Sequence, residues 1–250
     1  MADSMNPLLV VTGGTKGIGR AVVERFAEGG FDVAVCARNE DDLRQLKHEI
    51  EESVAEVLEG FDDAVVPTIF PFAADLAQRE EVSQFIDFIR SLARPVSALV
   101  NNAGVFLPGQ IHNEPEGTFE LTMNLNVASI YHLTRGLIGD MMKQRNGHIF
   151  MMGSTASVTA YPNGGSYCIS KFALLGMAKE LREEMKPYGV KVTTLLPGAT
   201  YTDSWAASGM PKARFMQPSD VAEVIWSAYN LSAGAVVEEI LLRPQLGDIK

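Results

Sequence analysis

The chain has 250 residues, of which 46% are hydrophobic and 21% are charged, and this length suffices for one large α/β domain. Its formal net charge of −10 argues against a surface that neutralises phosphates, and therefore against nucleic-acid binding. The first residues, MADSMNPLLVVTGG, lack the features of a signal peptide, and no apolar stretch approaches the roughly 20 residues that span a bilayer.

The two cysteines exclude a disulfide framework and have no metal-ligand spacing. Cys168 adjoins a tyrosine and is either a reactive thiol or a buried, inert side chain, as is common for free cysteines. We therefore expect a cytoplasmic enzyme with reduced thiols, no bound metal, and neither nucleic acid nor membrane as a partner.

Short apolar runs of strand length alternate with longer segments of helical spacing along the whole chain. The predicted strands are residues 8–12, 32–37, 65–72, 97–102, 148–153, 191–197 and 236–242. The predicted helices are residues 18–29, 40–58, 78–93, 117–144, 165–187 and 218–231. This alternation predicts an α/β fold, a doubly wound parallel sheet of Rossmann type with helices on both faces. Because no repeat or linker interrupts it, we expect a single domain over residues 1–250.

Two irregular stretches, residues 104–117 and 198–216, follow predicted strand ends, where open α/β sheets bind ligands. We expect them to be substrate loops. Their apolar groups, and one tyrosine beside them, either line a substrate site or pack the loops onto the body of the protein. These residues are Val105, Phe106, Leu107, Tyr161, Tyr201, Trp205, Met210, Phe215 and Met216.

A glycine-rich segment, TGGTKGIGR at 12–20, follows the first strand and opens the first helix. Gly13, Gly17 and Gly19 would permit a tight turn, a close approach to a pyrophosphate, and close packing of helix on strand. The helix amino terminus would supply free N–H groups for the phosphates. A glycine-rich turn with no ligand is the alternative.

Tyr167 and Lys171 are four residues apart on a predicted helix, so their side chains share one face. A free tyrosine has a pKa of about 10, too high for efficient proton exchange at neutral pH. We expect the ammonium of Lys171 to lower the pKa of Tyr167 and make it a usable acid or base. The alternative is a pair on a solvated helix face.

Five motifs in order resemble those of the short-chain dehydrogenase/reductase family, and the resemblance covers nearly the whole chain. The glycine spacing G-x-x-x-G-x-G is followed by NNAG at 101–104, Ser154 thirteen residues before Tyr167, Y-x-x-x-K, and PGATYT at 197–202. The segment NVASIYHLT at 126–134 resembles the one that holds the family's catalytic asparagine.

The resemblance implies that Tyr167 donates a proton to a substrate carbonyl oxygen that Ser154 orients. Lys171 would also bind the nicotinamide ribose, and Asn126 would support a helix kink and a water chain that returns protons to Lys171. Asn124 is an alternative to Asn126, although the spacing to the following threonine favours Asn126. Ser154 could instead cap a turn.

The cofactor is expected to be NADP(H). The second strand ends at Ala37 and Arg38 rather than at a carboxylate, which suits a ribose 2′-phosphate, and Lys16 could supply a second cation. Two ordinary surface cations are the alternative. Asp75 matches the family residue that bonds the adenine amino group. The expected cofactor-binding residues are Gly13, Thr15, Lys16, Gly17, Ile18, Gly19, Arg38, Asp75, Leu76, Asn102, Ala103, Gly104, Tyr167, Lys171, Pro197, Gly198, Thr200 and Thr202.

These inferences predict an NADP(H)-dependent oxidoreductase that interconverts a small-molecule carbonyl compound and a secondary alcohol. The alternatives are a regulatory protein that binds NADP(H) without turnover and a scaffold protein with no use for the glycine loop. Helices 117–144 and 165–187 carry more apolar surface than one buried face needs, which suggests a second partner. Members of the family that the chain resembles commonly pair these two helices across a two-fold axis, so the resemblance implies a homodimer or a homotetramer. The alternative is a monomer in which long loops cover these faces.

Overall fold

Seven parallel strands form one sheet in the order β3-β2-β1-β4-β5-β6-β7 in the computed structural model, which describes residues 6–59, 65–206 and 209–248. The order reverses between β1 and β4, which confirms the doubly wound Rossmann-type arrangement. The strands are β1 Leu8–Thr12, β2 Asp32–Ala37, β3 Ile69–Ala73, β4 Val96–Asn101, β5 His148–Met152, β6 Lys191–Pro197 and β7 Glu239–Leu242.

Helices cover both faces of this sheet. They are α1 Gly17–Glu28, α2 Glu40–Leu58, α3 Arg79–Ser91, α4 Thr118–Met123, α5 Ser129–Gln144, α6 Gly165–Met185, α7 Asp203–Ala206 and α8 Pro218–Tyr229. Side chains alternate between two buried clusters: Leu8 and Val10 of β1 face α3, α5 and α6, while Leu9 and Val11 face α1, α2 and α8. No helix among the described residues is long and apolar enough to cross a membrane.

Two strands, β3 and β7, begin three or four residues later than expected, and side chains bind backbone groups just before each of them. The backbone N–H of Thr68 donates to the Asp32 carboxylate at 2.7 Å, and β3 begins only at Ile69. At the other edge, the Thr193 hydroxyl donates to the Val237 carbonyl, and β7 begins at Glu239. The helix ends differ from the predicted ones by at most two residues, except where the segment 117–144 is divided.

The expected continuous helix over 117–144 is wrong in its middle. A π-helical turn, Asn124–Ala128, separates α4 from α5. Turns of this kind insert one extra residue into a helix, are a common cause of helix kinks, and are frequent at functional sites. The loop 198–216 also differs from a structureless loop, since it contains α7 and the 3₁₀ turn Lys212–Arg214.

Candidate active site

Tyr167 and Lys171 lie on the first two turns of α6, and Ser154 lies beside them just after β5. Ser154 caps the 3₁₀ turn Thr155–Ser157, and its hydroxyl lies near enough to the Tyr167 phenol to influence its pKa. The Lys171 ammonium donates to the carbonyl of Met152 at 2.7 Å, and its Nζ lies 5.6 Å from the centre of the Tyr167 ring. The strand end and the helix start thus bring the three predicted side chains into one polar group.

Burial dominates the proton affinities of this group. It lowers the pKa of the Lys171 ammonium to about 8. It also raises the pKa of the Tyr167 phenol above its ordinary value, against the smaller and opposing effect of the Ser154 hydroxyl. The expected lowering of the Tyr167 pKa is therefore wrong for this structure, because removing the phenolate from water outweighs its polar partners.

Asn126 is fully buried inside the π-helical turn. Its Oδ1 accepts a hydrogen bond from the N–H of Val105 at 2.8 Å, and its Nδ2 donates to the Val105 carbonyl at 3.0 Å and to the Ser170 hydroxyl at 3.1 Å. Asn124 is exposed on the same turn. Of the two candidate asparagines, Asn126 is thus the one that contacts the loop after β4 and helix α6.

A cleft of about 500 Å³ opens at the carboxyl ends of β1, β2 and β4, where the strand order reverses. Twelve of the predicted cofactor-binding residues line it: Gly13, Thr15, Lys16, Gly17, Ile18, Arg38, Asp75, Leu76, Asn102, Ala103, Gly104 and Thr202. Gly13 and Gly17 have positive φ angles of 66° and 55°, which favour glycine, so the glycine loop can bend tightly around the cleft.

The two expected cations differ in their surroundings. Lys16 Nζ forms an ion pair with Asp42 at 3.1 Å, and Asp42 also lines the cleft. Arg38 makes no ion pair or hydrogen bond with any residue that the structure describes, and Ala37 beside it presents no carboxylate. An anion in this part of the cleft would therefore meet one guanidinium that has no partner in the described part of the chain, and one ammonium that already forms an ion pair with Asp42.

A match to a known family agrees with this geometry. The model of the short chain dehydrogenase family matches residues 7–212, which include the glycine loop, Asn126, Ser154, Tyr167 and Lys171. The chain belongs to the short-chain dehydrogenase family.

Curated relatives extend the likeness over nearly the full chain. A sepiapterin reductase of Chlorobaculum tepidum is 34% identical over 254 aligned positions, covering 98% of this short-chain dehydrogenase and 99% of the relative. A 3α-hydroxysteroid dehydrogenase of Mediterraneibacter gnavus is 30% identical, covering 94% of each chain. A 3-ketodihydrosphingosine reductase of Bos taurus is 35% identical over 82% of this chain and 59% of its own.

Solved structures share the fold. An alcohol dehydrogenase from Thermococcus sibiricus, complexed with 5-hydroxy-NADP, superposes with a TM-score of 0.85 at 23% identity, covering 98% of this chain and 99% of its own. A metagenomic short-chain oxidoreductase in complex with NADP has a TM-score of 0.79 at 25% identity, covering 97% and 99%.

Some predicted cofactor residues of this short-chain dehydrogenase do not line the cleft. A Cβ on Gly19 would lie 2.1 Å from the Gly13 carbonyl oxygen, so Gly19 packs closely against the backbone of the glycine loop. Pro197 pairs with β7, and the Thr200 hydroxyl, which is buried, donates to the Gly198 carbonyl at 3.1 Å. Tyr167 and Lys171 also lie outside the residues that line the cleft. The binding roles of these residues remain predictions.

Sequence reasoning missed three groups that hold the site together. The Thr12 hydroxyl accepts hydrogen bonds from the N–H groups of Asn102 and Ala103 at 3.0 and 2.9 Å, joining the glycine loop to β4. The others are the Ser170 hydroxyl, which accepts from Asn126, and the Met152 carbonyl, which accepts from Lys171. A polar residue at the end of a buried strand was the available signal for Thr12.

The aromatic residues of the two loops have different surroundings. The Phe106 ring packs edge-to-face on the Tyr167 ring, with centroids 4.9 Å apart. In the other loop, Phe215 is buried and contacts both Tyr201 and Trp205, at 5.7 and 5.3 Å. The loop after β4 thus contacts Tyr167, whereas part of the loop after β6 packs on itself.

The two cysteines and the possible metal ligands that the structure describes show no sign of a separate reactive site. Cys36 and Cys168 are both buried as free thiols, and burial raises the pKa of Cys36 to about 12. Within the described ranges, no group of three or more His, Cys, Asp or Glu side chains could hold a metal ion.

Proposed function

We propose that this short-chain dehydrogenase is an NADP(H)-dependent oxidoreductase that interconverts a carbonyl compound and a secondary alcohol. The observation that carries the proposal is the meeting of Ser154, Tyr167 and Lys171 at the end of β5, on the sheet edge that also bears the cleft. A partly buried hydroxyl and phenol beside a buried cation suit proton transfer to a substrate oxygen.

The cleft residues fit a dinucleotide with a 2′-phosphate. A Cβ on Gly17 would lie 2.9 Å from Thr202 Cγ2, and Gly17 has a φ of 55°, so this position beside the cleft favours glycine. Arg38 and Lys16 would hold the 2′-phosphate, Asp75 the adenine amino group, and the first turn of α1 the pyrophosphate. When bound, the cofactor supplies or accepts the hydride. The NADP named for the two structural neighbours supports the same choice.

The side chains of the protein would donate the proton to the substrate and stabilise the charge that remains. Because burial raises the pKa of Tyr167, the phenol is protonated at neutral pH and can donate its proton to a carbonyl oxygen as negative charge develops there. Ser154 would bond the same oxygen and orient it. Lys171, whose pKa is about 8, stands beside the phenol and would stabilise the phenolate left behind. Asn126 would keep the loop after β4 in contact with α6.

A substrate panel tests this proposal. The names of the relatives suggest sepiapterin, a 3-ketosteroid and 3-ketodihydrosphingosine, to be tested beside simple ketones with NADPH as reductant. We expect oxidation of NADPH with at least one carbonyl compound. Binding of NADPH without turnover of any of them would instead favour the regulatory alternative, and absence of NADPH binding would contradict both.

A further inference from the structure

Glu114, in the loop after β4, binds the first turn of the helix that carries Tyr167. One carboxylate oxygen, Oε1, accepts a hydrogen bond from the backbone N–H of Ser166 at 2.8 Å, and Oε2 accepts one from the Ser166 hydroxyl. Ser166 is buried and immediately precedes Tyr167. The first N–H groups of a helix have no partner within the helix, so a carboxylate here satisfies one of them and interacts favourably with the helix dipole.

Two glycines leave the space that the Glu114 side chain occupies. A Cβ on Gly165 would lie 2.0 Å from Glu114 Oε1, and a Cβ on Gly109 would lie 2.6 Å from Glu114 Cγ. Gly165 also has a φ of 26°, which L side chains rarely adopt. Any larger residue at either position would displace the carboxylate from Ser166, so the contact depends on glycine at both positions.

The same loop holds the turn before α6 at further points. The N–H of Gly109 donates to the carbonyl of Asn163 at 3.1 Å, and Gln110 Nε2 donates to Asn163 Oδ1 at 3.2 Å. Nearer β4, the Phe106 ring packs on the Tyr167 ring. The ring of Tyr167 and the backbone just before it are therefore both held by one loop, and Glu114 makes the contact closest to Tyr167 in sequence.

We propose that Glu114 is a positioning residue for Tyr167, which fixes the first turn of α6 so that the phenol meets the substrate oxygen. The inference rests on the proposed function, since it assigns Tyr167 the proton transfer. Without the carboxylate, the N–H of Ser166 loses its partner and the first turn of α6 can fray. Misplacing a reacting group by about 1 Å can cost about 100-fold in rate.

Three variants test the proposal: Glu114→Ala, Glu114→Gln and, as a matched control, Glu120→Ala, whose carboxylate is exposed on α4. We expect Glu114→Ala to lower kcat by about 10- to 100-fold while the dissociation constant of NADPH changes less than about 2-fold, because Glu114 does not line the cofactor cleft. The control should match the wild type in both quantities.

Rescue by the isosteric amide separates hydrogen bonding from charge. In Glu114→Gln, the amide oxygen can accept from the Ser166 N–H and the amide nitrogen can donate to the Ser166 hydroxyl. We expect this variant to keep kcat within about 3-fold of the wild type. Ser166→Ala retains the backbone hydrogen bond and should fall between the wild type and Glu114→Ala, which gives a second test if the alanine variant does not fold.

A wild-type kcat for Glu114→Ala, or an equal loss in Glu114→Gln, would overturn the proposal. Amide hydrogen exchange gives a readout that does not depend on turnover: Glu114→Ala should speed exchange at Ser166 and Gly109, whereas exchange in β1 should be unchanged. If the wild type reduces no carbonyl compound, the proposed function fails by itself. Unchanged exchange at Ser166 in Glu114→Ala would then refute the positioning contact separately.

Discussion

Replacing Tyr167 with phenylalanine removes one hydroxyl and leaves the ring in place. The ring contact with Phe106, at 4.9 Å, does not involve the hydroxyl and should survive. The lost polar interaction is the one with the Ser154 hydroxyl, and even a full hydrogen bond there would be worth only about 1 kcal/mol of folding free energy. For a chain of this size, such a loss lowers the melting temperature by only about 2–4 °C. The variant should therefore be folded and comparable with the wild type.

The effect on catalysis should be far larger than the effect on stability. Removing a general acid costs about 10²- to 10⁴-fold in rate, or about 3–5 kcal/mol of transition-state stabilisation. Because Tyr167 does not line the cofactor cleft, the dissociation constant of NADPH should stay within a few fold.

The assays are steady-state NADPH oxidation with the best carbonyl compound of the panel and fluorescence titration with NADPH. Tyr188→Phe is the matched control, because Tyr188 lies in the 3₁₀ turn Lys186–Tyr188 after the carboxyl end of α6, whereas Tyr167 lies in the first turn of that helix. A Tyr167→Phe variant that reduces substrate at near the wild-type rate would refute the assignment of Tyr167 as proton donor.

Three further predictions concern cofactor choice, acid stability and assembly. Ala37→Asp combined with Arg38→Leu should shift the ratio of kcat/KM for NADPH and NADH toward NADH, because a phosphate partner is removed and a ribose partner added; an unchanged ratio would contradict this. His148 is buried, its Nε2 is hydrogen-bonded to the Thr193 hydroxyl at 2.7 Å, and burial lowers its pKa to about 3. The unfolded chain therefore takes up this proton first as the pH falls. When the pH is lowered from 6.5 to 4.5, the free energy of unfolding of the wild type should fall by about 2 kcal/mol more than that of His148→Gln. Urea titrations of both proteins at both pH values would measure this difference. Exposed apolar side chains on α4, α5 and α6 should pair between copies, so light scattering should give a dimer or tetramer mass and not the 27.2 kDa of a monomer.

The spacing of residues along the sequence was enough to predict many of the helices and strands and part of the candidate site. The strand, glycine loop and helix at the start of the chain, and the tyrosine and lysine one helical turn apart, depend only on neighbouring residues and on the regular geometry of helices and strands. The bounds of β1, β2, β6 and α2 agree with the sequence prediction. Alternating strands and helices also implied the doubly wound sheet, because parallel neighbours need crossover helices.

Contacts between distant residues were decided only by the tertiary structure. The π-helical turn orients Asn126 toward Val105, Asp42 shares the charge of Lys16, and Glu114 reaches Ser166, 52 residues away along the chain. The raised pKa of Tyr167 also escaped sequence reasoning. A sequence shows which charged groups lie near the phenol along a helix, but not how much water the folded chain removes from it. In this structure, the loss of water is the largest influence on the pKa of Tyr167.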